Sequence, residues 1–115
     1  MFPKKSSHKK RPKKYENKKH LNWIHSFECS LSNLECNDSI QAHHLLRPWR
    51  GFRGVGIKAG DENLIPLCEF HHRKLHEHGD EENYFKLKTG SETFGREEAQ
   101  RFWLKSPFYE RLDEK

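Results

Sequence analysis

Cys29, Cys36, Cys68 and His71 are the first group in this chain whose types and spacing could do chemistry. Cys29 and Cys36 form a C-x6-C pair, and Cys68-x2-His71 has the spacing of a metal knuckle. Three thiolates and one imidazole make the closed four-ligand set that structural zinc prefers. The cysteine count of three is odd, and no export signal precedes it, which argues against a disulfide framework. The bland alternative is three unrelated buried thiols and a surface histidine.

A second group is His43-His44 together with His72-x3-His76. Positions i and i+4 of a helix share one face, so His72 and His76 can share one ion. His71 is rotated from His72 by roughly 100° and can serve a different ion on a different face. Neighbours on a strand point to opposite sides, so one of His43 and His44 can join the helix pair at a metal. The other is left as a base or a packing residue. His8, His20, His25 and His78 have no comparable geometry and read as surface residues.

These groups need elements to hold them. Residues 18–27 read as a short amphipathic helix, 39–46 as a strand and 63–67, NLIPL, as a second strand whose proline suits an edge. Between the strands, residues 47–62 form a long loop rich in Gly and Arg. Residues 69–78 read as a helix closed by Gly79, and Asp80 caps another that runs to Leu87. A further helix covers 96–105, and Ser106-Pro107 is expected to start a last short one.

The chain has 115 residues, 34% of them charged, and Leu, Ile, Val and Phe number only 24. So little apolar content makes folding marginal without a staple, which zinc would supply. Residues 1–20 carry nine Lys/Arg against one acid, Glu16, whereas residues 21–115 carry 13 against 16. The first 19 residues are therefore expected to be a disordered basic arm suited to phosphate backbones. The acid-free stretch between Asp38 and Asp61 carries Arg47, Arg50, Arg53 and Lys58, interleaved with Trp49 and Phe52. A basic, aromatic-bearing loop in an otherwise acidic domain suits an anionic polymer. No apolar run approaches the roughly 20 residues of a membrane span, and a cytoplasmic, non-membrane protein is expected.

The string AHHLL at 42–46 and, after the loop, NLIPLCEFHHRKLH at 63–76 resemble the HNH nuclease motif. With Cys29-x6-Cys36, QAHH, RGVGIKAGDENLIPLC, HHRKLHEHGDE and FWLKSP in order, the chain is similar to the Ref/YbcO-like phage or prophage branch over residues 20–107. The resemblance implies an α+β fold: a small zinc-stapled ββα-metal core with flanking helices. It divides the chain into the arm at 1–19, the nuclease domain at 20–107 and a helical tail at 108–115. It implies His43, His72 and His76 as ligands of one catalytic divalent metal, His44 as general base and Asn63 as the residue that orients the base. It assigns Cys29, Cys36, Cys68 and His71 to the zinc.

The implied function is metal-dependent DNA endonuclease activity linked to phage or prophage recombination, with a RecA-type recombinase filament as a further partner. Arg47, Arg50, Arg53 and Lys58 are expected to bind flanking phosphates. Three imidazoles suit Zn2+, Ni2+ or Mn2+ on softness grounds, and the resemblance adds Mg2+. The competing reading is a non-catalytic, zinc-stapled DNA-binding module. A bacteriocin-type nuclease shares the HH and H-x3-H pattern but not the cysteines, and RNA stays open as a substrate.

Overall fold

Cys68 sits where a strand becomes a helix. In the computed structural model, which describes residues 15–37, 39–50 and 59–112, β1 (Ile40–His44) pairs antiparallel with β2 (Leu64–Cys68). The register sets His43 opposite Ile65 and His44 opposite Leu64. Around this hairpin lie α1 (Lys18–Ile24), α2 (Glu69–His78), α3 (Glu81–Thr89) and α4 (Phe94–Lys105). The expected α+β class holds, with four helices and one two-stranded sheet among the described residues.

Local chemistry accounts for the helix ends. Cys68 Sγ accepts from His71 N to cap α2, and Gly79 closes it at φ 87°, a left-handed conformation that favours glycine. Asp80 accepts from Asn83 N to cap α3, with Glu81 and Glu82 in its first turn. β2 is buried along its whole length because α1, α2 and α4 all pack against it. Leu45, Ile65, Leu67, Leu75, Phe85 and Ala99 form the centre of the core. Burying each of the larger aliphatic side chains contributes about 1.5–3 kcal/mol.

Two expectations are corrected at the chain ends. Residues 1–14 and 113–115 lie outside the described residues, but 15–19, assigned to the arm, belong to the folded body. Tyr15 packs edge-on against Trp103, and the Asn17 side chain caps α1. The helix expected after Ser106-Pro107 is a single turn, and the described part of the tail is not helical. Ser106 leaves α4 with extended backbone, and its hydroxyl accepts from Phe108 N at 3.1 Å, satisfying that amide locally.

His20, expected at the surface, is fully buried. Its Nδ1 meets Ser106 Oγ at 2.9 Å, its ring stacks edge-on with Trp103, and Nε2 has no hydrogen-bond partner among the described residues. Its i+4 neighbour Ile24 is also buried, so the inward face of α1 runs through His20.

Two predictions follow from this packing. A Cβ at Gly95 would fall 2.6 Å from Phe85 Cε2 and 3.0 Å from Leu45 Cδ2. Gly95→Ala therefore lowers stability by about 1–3 kcal/mol, outweighing the roughly 1 kcal/mol helix-propensity gain. A urea midpoint at or above that of the parent would refute this. Burial lowers the His20 pKa from 6.5 to about 4, partly opposed by the charge of Asp61. The unfolded chain binds the extra proton between those values, so stability falls as pH drops from 6.5 towards 4, by up to ~3 kcal/mol. His20→Phe should flatten the slope of urea midpoint against pH in that window; an unchanged slope contradicts the assignment.

Candidate metal centres and a histidine–carboxylate dyad

The first centre joins a loop, a strand end and a helix. Cys29, Cys36, Cys68 and His71 each place a ligand atom within 4.8 Å of the others. His71 Nδ1 lies 3.5 Å from Cys29 Sγ, 3.4 Å from Cys36 Sγ and 3.2 Å from Cys68 Sγ. A tetrahedral zinc with Zn–S near 2.3 Å and Zn–N near 2.0 Å has S···N edges of about 3.5 Å. The three sulfurs thus already stand at about the distance from His71 Nδ1 that a shared zinc ion requires. All three cysteines are free thiols.

Burial pushes the Cys29 thiol up to about 12, reinforced by the charge of Cys68. Burial also acts on Cys68, but there hydrogen bonds from the His71 and Asn37 main-chain amides and from the neighbouring thiols hold it below its usual value. Burial and then the charge of Lys88 lower the His71 pKa, which favours the neutral, ligating imidazole.

The second centre lies on the other face of α2. His43, His72 and His76 also bring their ligand atoms within 4.8 Å of one another. His72 Nε2 and His76 Nε2 stand 3.2 Å apart, and the His43 ring lies 5.1 and 5.7 Å from theirs. The three line a cleft of about 370 Å³ together with His44, Gln41, Ala42, Leu45 and Leu46. Three imidazoles beside an open cleft could hold a metal ion and leave further coordination positions open. His43 is buried, His72 half-buried and His76 exposed.

His44 points elsewhere. Its Nε2 lies 2.7 Å from Asp61 Oδ1, and the Asp61 side chain is only 3% exposed. The other oxygen of that carboxylate accepts from Asn17 N at 2.8 Å. An ionised carboxylate only accepts, so His44 donates from Nε2, and its basic lone pair lies on Nδ1.

The expectation for Asn63 is therefore corrected. Its Oδ1 accepts from Trp49 N at 2.8 Å and Arg50 N at 3.3 Å, and Nδ2 donates to Arg50 O and Gly60 O. Asn63 fastens the inter-strand loop, and Asp61 meets His44. A sequence signal for Asp61 exists: it is the first acid after the acid-free stretch, one turn before the strand that pairs with His44.

Among the expected phosphate contacts, Arg47 is two-thirds exposed, 4.0 Å from Glu82. Arg50 instead forms a 3.0 Å ion pair with buried Glu62. Trp49 packs against the core and donates its indole N–H to Glu62 O at 2.7 Å. Arg53, Lys58 and Phe52 lie outside the described residues. His25 and His78 are exposed, as expected.

No helix among the described residues is long and apolar enough to cross a membrane. No solved structure matches the chain. The uncharacterized protein YdfU of Escherichia coli (strain K12) is 33% identical over 64 residues, a stretch covering 56% of this chain but only 17% of YdfU. A model of a protein family of unknown function, DUF968, matches residues 3–95, which is most of the chain, and the chain belongs to that family.

Proposed function

We propose that this protein is a metal-dependent DNA endonuclease of the HNH type with a zinc-stapled ββα core. One observation carries the reading: His43, His72 and His76 converge on one point of a cleft, while His44, the next residue of β1, faces a buried carboxylate beside it. A structural role alone gives no reason for a three-imidazole cluster opening on a cleft next to an oriented fourth imidazole. The basic first 20 residues and exposed Arg47 supply the charge that a nucleic acid needs.

Each residue then has a task. His43, His72 and His76 would hold a divalent ion. When bound, such an ion neutralises charge that builds on a phosphodiester and its leaving oxygen. His44 takes a proton from the attacking water at Nδ1, and Asp61 fixes the ring and stabilises the imidazolium that forms. Asn63 and the Arg50–Glu62 pair hold the loop that follows the catalytic strand. Arg47 positions a flanking phosphate without reading its base. Cys29, Cys36, Cys68 and His71 take zinc as the staple, a RecA-type filament is a candidate partner, and the cytoplasm is the proposed compartment.

The zinc staple is tested by Cys68→Ser. Serine is itself a good helix cap, so the variant keeps the start of α2 while losing a ligand. It should unfold or aggregate, because structural zinc supplies about 10–16 kcal/mol of folding free energy in small zinc domains. Since Cys29 holds its proton in the metal-free protein, zinc uptake releases protons, and affinity rises with pH. A well-folded Cys68→Ser protein with unchanged melting sinks the assignment.

The chemistry is tested by nicking of supercoiled plasmid across Mg2+, Mn2+, Ni2+ and Zn2+, alone and with a recombinase filament. His44→Ala should cut about 10²–10⁴-fold more slowly while keeping its metals and DNA affinity. His72→Ala should lose the second metal and cleavage together, and exposed His78→Ala should lose neither. A wild-type protein that nicks under none of these conditions hands the case to the DNA-binding module. Wild-type cutting by His44→Ala, with His43→Ala inactive yet fully metallated, exchanges the two strand roles.

A further inference from the structure

Glu81 lies in the first turn of α3, where an acid ordinarily does no more than complement the helix dipole. Here it turns inward, its side chain only 3% exposed. Oε1 lies 2.8 Å from Nε2 of His43, which is itself 2% exposed. Leu46 N donates to both oxygens at 3.1 and 3.0 Å, and Arg47 N donates to Oε2 at 3.2 Å. With two main-chain amides pointing their N–H groups at it, this buried carboxylate is set as an acceptor, so the 2.8 Å contact is a donation from Nε2 of His43. The tautomer is thereby fixed, and Nδ1 becomes the one nitrogen of His43 with a lone pair for an ion.

We propose that Glu81 is the positioning residue of the three-histidine centre: it selects the ligating nitrogen of His43 and fixes the ring plane. The inference rests on the metal reading of that centre, not on nuclease chemistry. Partners of this kind typically change metal affinity 10–100-fold. Here the partner comes from α3, outside the hairpin and α2 that carry the ligands. The two main-chain donors at Leu46 and Arg47 also bind the strand end to the same carboxylate. The seating of α3 and the ligand geometry are thus one structural event.

The test is Glu81→Gln in the full chain, with Co2+ as the probe. Thiolate-to-cobalt charge transfer reports the Cys/His centre, and d–d absorbance that grows after the charge-transfer band has saturated reports the histidine centre. The expected result is a 10–100-fold weaker second cobalt, an unchanged charge-transfer band and unchanged melting of the singly loaded protein. In parallel, ¹⁵N chemical shifts of the His43 ring report its tautomer without any second metal. The wild type should carry Nε2–H, and Glu81→Gln should shift the ring towards the other tautomer, a change that a purely structural carboxylate would not produce.

A wild-type-like second affinity, or a loss that takes the charge-transfer band with it and leaves the ¹⁵N pattern unchanged, overturns the proposal. So does a wild-type protein that accepts one cobalt only, which removes the centre itself. Intact second-metal binding without any DNA cleavage sinks the nuclease reading alone and leaves this role standing.

Discussion

The rotational phase of α2 relative to the hairpin is set at Cys68. That residue ends β2, caps the helix through its sulfur and supplies a donor to the four-ligand cluster. With Cys68 fixed, His71 must fall on the buried side beside the other thiols. One residue further, a rotation of roughly 100° carries His72 out of that cluster and over β1. His76 follows one turn later on the same face, and the two meet His43. A slip of one residue at the strand–helix junction would dismantle both centres together, which makes their geometry a single constraint.

Carboxylates in the interior form a second layer of constraint around the cleft. Asp61, Glu62 and Glu81 are almost fully buried in a domain with a small core. Buried charge is costly unless it is paired and hydrogen-bonded. Asp61 meets His44 and the Asn17 amide, Glu62 meets Arg50, and Glu81 meets His43 and two amides at the end of β1. Two of these three acids hold the adjacent histidines of one strand in opposite directions. The polar interior is therefore concentrated around the cleft, where it orients rings, and the aliphatic core lies behind it.

Most of the architecture was legible because its signals are local. Gly79 and Asp80 mark the break between α2 and α3, the i,i+4 histidines mark one helix face, and the C-x2-H step marks the knuckle. Contacts across long stretches of chain were not legible. Nothing near Glu81 in the sequence points to His43, 38 positions away. Resemblance assigns Asn63 to His44, yet its amide engages main chain on its own loop, and Asp61, two residues earlier, takes the histidine. His20 reads as a surface residue because a lone histidine carries no periodic signal, although its i+4 neighbour Ile24 shares its buried face. Ser106-Pro107 has the letters of a helix start, but the serine hydroxyl is engaged by the Phe108 amide and by His20.

The bond from Asn17 N to Asp61 has a bearing on where this polypeptide can be cut. Tyr15 O accepts from Asp61 N at 2.9 Å, so both the main chain and the carboxylate of that residue lean on positions 15 and 17. The Tyr15 hydroxyl in turn bonds Glu110, and Asn17 Nδ2 donates to Phe108 O, which clasps the two ends of the described fold together. The folded body therefore includes Tyr15 and Asn17, ahead of residue 19, where the basic run ends. Trimming past Asn17 removes a main-chain donor to the carboxylate that holds His44, and with it the clasp between residues 15–17 and 108–110.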